Sequence, residues 1–91
     1  GLPLTILKAL SSRTPVVAFL VNGINDLSIK FKILYGVPCF NTDQFVRGLI
    51  EAKKIKLNNK KLINAEAKYV RENFDLNKMY DNINATYNSL K

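Results

Sequence analysis

From residue 16 to residue 21 the chain runs Val-Val-Ala-Phe-Leu-Val, an apolar stretch with no polar break. It is too short for a typical helix and opens on β-branched residues. That predicts a strand buried on both faces, as in a parallel sheet covered by helices. Upstream, Leu4, Leu7 and Leu10 recur at helical spacing with Ile6 beside them, which predicts a helix over residues 4–12. Ser11-Ser12-Arg13-Thr14 breaks the pattern. Pro15 enforces the break, because its ring pushes the preceding residue out of the helical region. Asn22-Gly23 reads as a turn and Ile24–Ile29 as one or two helical turns. Residues 33–40, with Ile33, Leu34, Tyr35 and then Gly36-Val37-Pro38-Cys39-Phe40, predict a second short extended segment around a turn.

The remainder predicts three helices. Asn41-Thr42-Asp43 offers N-caps to the first, with Phe45, Val46, Leu49 and Ile50 as its apolar stripe. Asn58-Asn59 opens the second, where Leu62, Ile63, Tyr69 and Val70 line one side. Asp75 caps the third, whose stripe is Leu76, Met79, Tyr80, Ile83, Tyr87 and Leu90. The pattern is α/β: few parallel strands with flanking helices and a helical C-terminal tail. Residues 1–40 hold the helix–strand–helix–strand segment and 41–91 the three helices of one partial domain. Two strands do not make a self-sufficient sheet. The expectation is that strands upstream of Gly1, or another chain, complete it.

Composition narrows the functional classes. The chain has 91 residues, 47% of them hydrophobic, which is globular rather than disordered composition. Fourteen Lys and Arg against seven Asp and Glu give a formal charge of +7. Such a charge suits an anionic partner: a phosphate, a nucleic acid or an acidic membrane surface. The basic cluster from Lys53 to Lys61 lacks interleaved aromatics, which disfavours nucleic acid and fits a solvated face. The lone Cys39 excludes an internal disulfide and, in its apolar setting, is expected to be a small buried hydrophobe. There is no histidine, so imidazole acid–base chemistry and an ordinary zinc site are absent. No apolar run approaches the ~20 residues of a membrane span.

Residues 1–27 carry a resemblance. Gly1-Leu2-Pro3-Leu4, Ala9, Thr14-Pro15-Val16-Val17-Ala18 and Gly23-Ile24 match a pattern that reads E-G-L-P-L-x-x-L-E-A-M-A-x-G-x-P-V-V-A, then a short loop and G-G-I-x-E-L. Asp26-Leu27 stands where Glu-Leu is usual. This resembles the donor-binding segment of the retaining GT-B glycosyltransferases of family 4 (group 1). Asp43–Lys54, Glu66–Phe74 and the ending Tyr87-Asn88-Ser89-Leu90 resemble that family's C-terminal helices less specifically.

The resemblance implies a Rossmann-like GT-B domain that binds a nucleotide sugar, UDP- or GDP-linked, with no other cofactor and no obligatory metal. It implies a donor site formed by Gly1, Leu2, Leu4, Thr5 and Lys8. A turn leading into a helix N-terminus offers free backbone N–H groups to a diphosphate, here those of Leu4 and Thr5; Pro3 has none. In the family two glutamates bind the donor, at the sugar and at the ribose. The first would precede Gly1. The second falls on Lys8, which cannot accept a hydrogen bond from a hydroxyl but can meet a phosphate. Arg13 stands where the family has glycine.

Expected from this are no catalytic residues within these positions, no transferase activity from this chain alone, and a missing N-terminal half or a second copy as protein partner. With neither a signal-peptide pattern nor a membrane span, the chain is expected in the cytoplasm, with peripheral contact to an anionic membrane as the further option. A different class is a non-catalytic α/β interaction module whose donor site has decayed.

Overall fold

The computed structural model describes residues 4–21 and 24–89. The chain is mixed α/β, in the order α1 (Leu4–Ser11), β1 (Val16–Phe19), α2 (Ile24–Lys30), β2 (Leu34–Val37), α3 (Thr42–Asn58), α4 (Lys60–Asn73) and α5 (Leu76–Ser89). That is the element order read from the sequence. The turn at Asn22-Gly23 and the tail residue Leu90 lie outside the described residues, as do the side chains of Ile83 and Tyr87.

β1 and β2 pair in parallel, Val16 opposite Leu34 and Phe19 opposite Val37. These two strands fall short of the open, many-stranded sheet of a Rossmann-like domain. Strand alternation puts Val16, Ala18, Leu34 and Gly36 on one face and Val17, Phe19, Tyr35 and Val37 on the other.

The first face carries the main core. Leu7 and Leu10 of α1 pack with Phe31, Ile33, Leu34, Ile63 and Val70, and Val16, Ala18, Ile24 and Leu27 close around them. Gly36 sits under α2, where an added Cβ would come within 3.0 Å of the Ser28 Cβ. No described side-chain N or O is buried without a partner.

α3 covers the second face, but not with the stripe read from the sequence. Phe45, Gly48, Ala52 and Ile55 turn inward, whereas Val46, Leu49 and Ile50 are half exposed. Gly48 decides this orientation. A Cβ there would lie 2.7 Å from both the Tyr35 ring and a Val17 methyl, so its absence lets the helix seat on the sheet.

Two further expectations are corrected. Cys39 is exposed, not buried, because it lies in the turn after β2, where its thiol donates to the Leu20 carbonyl at 3.3 Å. On α4 the buried residues are Ile63, Ala67 and Val70, while Tyr69 is exposed at the margin of the core.

The caps read from the sequence hold. Asn41 accepts the Gln44 N–H, and Asp75 accepts the Lys78 N–H. Asn59 serves two helices: its N–H donates to the Ile55 carbonyl at the end of α3, and its side chain accepts the Leu62 N–H at the start of α4.

α1 ends in a Schellman turn. Thr14 N–H donates to the Ala9 carbonyl and Arg13 N–H to the Leu10 carbonyl, both at 3.0 Å. Arg13 occupies the left-handed position, φ 64°. The Arg71 guanidinium donates to the Ser11 carbonyl at 2.8 Å, a cation on the negative end of the helix.

The left-handed conformation costs a side-chain-bearing residue about 1–2 kcal/mol. Glycine's greater freedom when unfolded offsets about 0.5–1 kcal/mol of that. Arg13→Gly is therefore expected to raise stability by about 0.5–1 kcal/mol, read as a higher urea midpoint. A lower midpoint would show that the Arg13 side chain stabilises the turn by more than its backbone strains it.

Candidate functional site

The sequence places its candidate site at the head of α1. Residues 12–15 reverse the chain between α1 and β1, so the helix folds back over the sheet. In open α/β sheets a helix that precedes a strand in this way has its N-terminus toward the carboxyl ends of the strands, the edge at which such sheets bind ligands. Leu4 anchors the first turn with its side chain buried, while Thr5 is exposed beside it. Their backbone N–H groups belong to the first turn, which has no intrahelical acceptors. Gly1 and Leu2 lie outside the described residues. α1 carries no acidic residue in its first turn, nor any along its length.

Lys8 is exposed one turn further on, and its ammonium sits 4.5 Å from the centroid of the Tyr80 ring on α5. The cation is thus held over an aromatic face by the tail helix. Leu4, Thr5 and Lys8 come together on one short helix, as the sequence requires. What the sequence did not indicate is that α5 crosses α1 and takes up the Lys8 charge.

Three further groups escaped sequence reasoning. At the carboxyl ends of the strands, the Phe19 ring lies 5.1 Å from Phe45 and 5.8 Å from Phe40. Phe40 is 85% exposed and left-handed, φ 64°, at the third position of the turn closed by Asn41 N–H on the Pro38 carbonyl. On the α4 side, Lys30 stands 4.7 Å from the Tyr69 ring and 5.8 Å from Phe74. Glu66 accepts the Lys32 N–H at 2.9 Å and the Ile33 N–H at 2.8 Å, one on each carboxylate oxygen.

A signal for Glu66 was present. It falls on the arc of Ile63, Ala67 and Val70, a polar residue on an apolar stripe, and so demands a buried partner. Phe40 and Lys30 had no comparable signal.

Among the described residues, open recesses lie on this side. One of about 300 Å³ is lined by Lys30, Phe31, Ala65, Glu66 and Tyr69; one of about 610 Å³ follows the α4–α5 corner from Arg71 to Asn77. Leu4, Thr5 and Lys8 line neither.

The Ser11 and Ser28 hydroxyls and the Cys39 thiol each donate to a backbone carbonyl, not to a base. No group of three Cys, Asp or Glu among the described residues is placed to hold a metal ion. No helix among them is long and apolar enough to cross a membrane. No family model, curated protein or solved structure matches the chain.

Proposed function

We propose that this chain is part of the donor-binding side of a retaining GT-B glycosyltransferase. It takes the diphosphate of a UDP- or GDP-linked sugar on the backbone amides of Leu4 and Thr5, and lacks transferase activity by itself. The observation that carries the reading is the left-handed Arg13 at the end of α1. The resemblance assigns that position to glycine, and the backbone takes the conformation that glycine serves best. A left-handed backbone at this position supports the reading, although Arg13 stands where glycine is usual. The order helix, strand, helix, strand is also that of an α/β domain whose ligand edge faces the head of α1.

One observation favours a second reading. Lys8 stands where the ribose-binding glutamate belongs, and Tyr80 holds it in a structural contact. On that reading the site has decayed and the fold serves as an interaction module.

Titration of the isotope-labelled chain with UDP- and GDP-sugars separates the two. The donor reading expects amide shifts at Leu4 and Thr5, and tighter binding by Lys8→Glu, which restores a hydroxyl-accepting carboxylate. Silence at both amides at millimolar ligand, in the parent and in Lys8→Glu, would sink the donor reading and leave the interaction module.

A further inference from the structure

α3 is apolar on two sides. Phe45, Gly48, Ala52 and Ile55 face the sheet, and that inner arc accounts for the helix's place in the fold. On the other side Val46, Leu49, Ile50 and Leu57 are 50%, 51%, 51% and 66% exposed. The other large aliphatic side chains exposed among the described residues are Val21 and Ile29, each on a separate segment. Exposed aliphatic surface is therefore gathered on this helix rather than scattered, and a gathered patch marks an interaction surface.

At about 100° per residue, Val46, Ile50 and Leu57 fall within about 40° of one another. Gly48, where the helix touches Val17 and Tyr35, lies on the opposite side. The three side chains thus form a ridge that points straight away from the sheet, about 16 Å long from Val46 to Leu57. Leu49 and Lys53 stand on one shoulder of the ridge with Lys56 beyond them, and Arg47 and Lys54 on the other. Positive charge continues past the helix end at Lys60 and Lys61, which open α4. Residues 52–61 hold five lysines and no acidic residue. Glu51 is occupied, its carboxylate 3.4 Å from the Lys54 ammonium. Spacing along the chain gave this cluster as a solvated face. In the fold an aliphatic ridge runs between its cations.

We infer that α3 is a membrane-contact helix that lies flat on an anionic bilayer. Val46, Ile50 and Leu57 reach the acyl-chain boundary, and Arg47, Lys53, Lys54 and Lys56 stay among the headgroups. Lysine suits this place, because its aliphatic stem lies along apolar surface while its ammonium remains at the level of the phosphates. An apolar ridge with Lys and Arg on its flanks is the pattern of a helix that lies in the interface plane. The formal charge of +7 draws the chain toward the same acidic surface.

Other occupants fit less well. A second copy would set lysines against lysines. Another protein would meet a convex ridge with no pocket for an anchor, rimmed by a residue type depleted at protein interfaces. Nucleic acid would take the cations but leave the aliphatic ridge in water, and the ridge has no aromatic ring on which a base could stack. The inference uses no residue of the proposed donor site and stands whether or not the donor reading does.

Vesicle binding by the full chain tests it. The probes are vesicles of phosphatidylcholine alone and of phosphatidylcholine with about 30% phosphatidylglycerol. Binding is expected to the acidic vesicles, at least about tenfold weaker to the neutral ones, and weakened by added salt. Lys53→Gln with Lys56→Gln should lower it about tenfold, whereas Lys68→Gln with Lys78→Gln, which removes the same charge from α4 and α5, should change it less than about twofold. Val46→Gln with Ile50→Gln should lower it at least about tenfold. Glutamine forms helix more readily than valine or isoleucine, so an unchanged circular dichroism spectrum is expected. The chain has no tryptophan, so Leu57→Trp reports depth. Its emission should shift to the blue on acidic vesicles, while that of Ile29→Trp, on α2 at the opposite face of the sheet, should not. Equal binding to both vesicles, equal losses from the two lysine pairs, indifference to the Val46 and Ile50 substitutions, or no blue shift for Leu57→Trp would each overturn the inference. Binding to polyuridylate without binding to vesicles would overturn it too, and would identify nucleic acid as the occupant.

Discussion

Phe31→Ala is expected to destabilise the chain by about 3–5 kcal/mol, the usual loss for a buried phenylalanine whose cavity only partly collapses. Phe31 is 2% exposed and stands between α2 and β2, where the two helical layers of the first face meet. It packs among Leu7, Leu10, Ile33, Ile63 and Val70, and its ring meets the edge of Tyr69 at 5.9 Å. Among the described residues it is the largest fully buried side chain. A small domain is stable by only about 5–15 kcal/mol, so this loss removes a large share of the total. Urea titration followed by circular dichroism reads it as a lower midpoint. A loss below about 1 kcal/mol, the scale of an ordinary surface change, would show that the core closes without this ring.

Glu66→Ala is the second large effect, expected at about 2–3 kcal/mol. Two backbone N–H groups give charge-assisted hydrogen bonds to this one carboxylate, and that of Ile33 is left in a partly buried place when it goes. Glu66→Gln keeps one oxygen acceptor and should lose about half as much. The variant also has a local readout. Glu66 holds the turn that leads from Phe31 into β2, so the Lys32 and Ile33 amides should exchange faster in both variants while α3 amides do not. Equal losses for alanine and glutamine would mean that the effect needs the charge or both oxygens together, and that one neutral acceptor retains none of it. Unchanged exchange at Lys32 and Ile33 would remove Glu66 from that turn altogether.

Much of the local structure was legible because it depends on neighbours in sequence. Leu4, Leu7 and Leu10 define the buried side of α1, and all three are buried in the fold. Asn41 and Asp75 announce helix starts, since a side-chain acceptor three residues before a free N–H needs no tertiary help. The apolar run after Pro15 forms a strand over Val16–Phe19, but its four residues are half buried rather than buried on both faces as the run predicts.

α3 was harder because it has two apolar arcs. Periodicity reads Phe45, Val46, Leu49 and Ile50 as one stripe, and of these only Phe45 turns to the sheet. Gly48 settles it through contacts with Val17 and Tyr35, residues remote in sequence. Cys39 was misplaced for a related reason: an apolar neighbourhood in sequence is not burial when the residue sits in an outer turn.

The candidate site divides along the same line. The sequence by itself determined the α1 helix, the place of Leu4 and Thr5 in its first turn, and the cation at Lys8. Each is a property of residue types and short spacings. Only the tertiary structure decided that Lys8 lies against Tyr80, that Glu66 fastens the entry to β2, and that α3 turns Val46, Ile50 and Leu57 away from the sheet. Those facts follow from how far-separated segments dock, and docking is set by steric fit and by the pairing of polar groups that no short window of sequence contains.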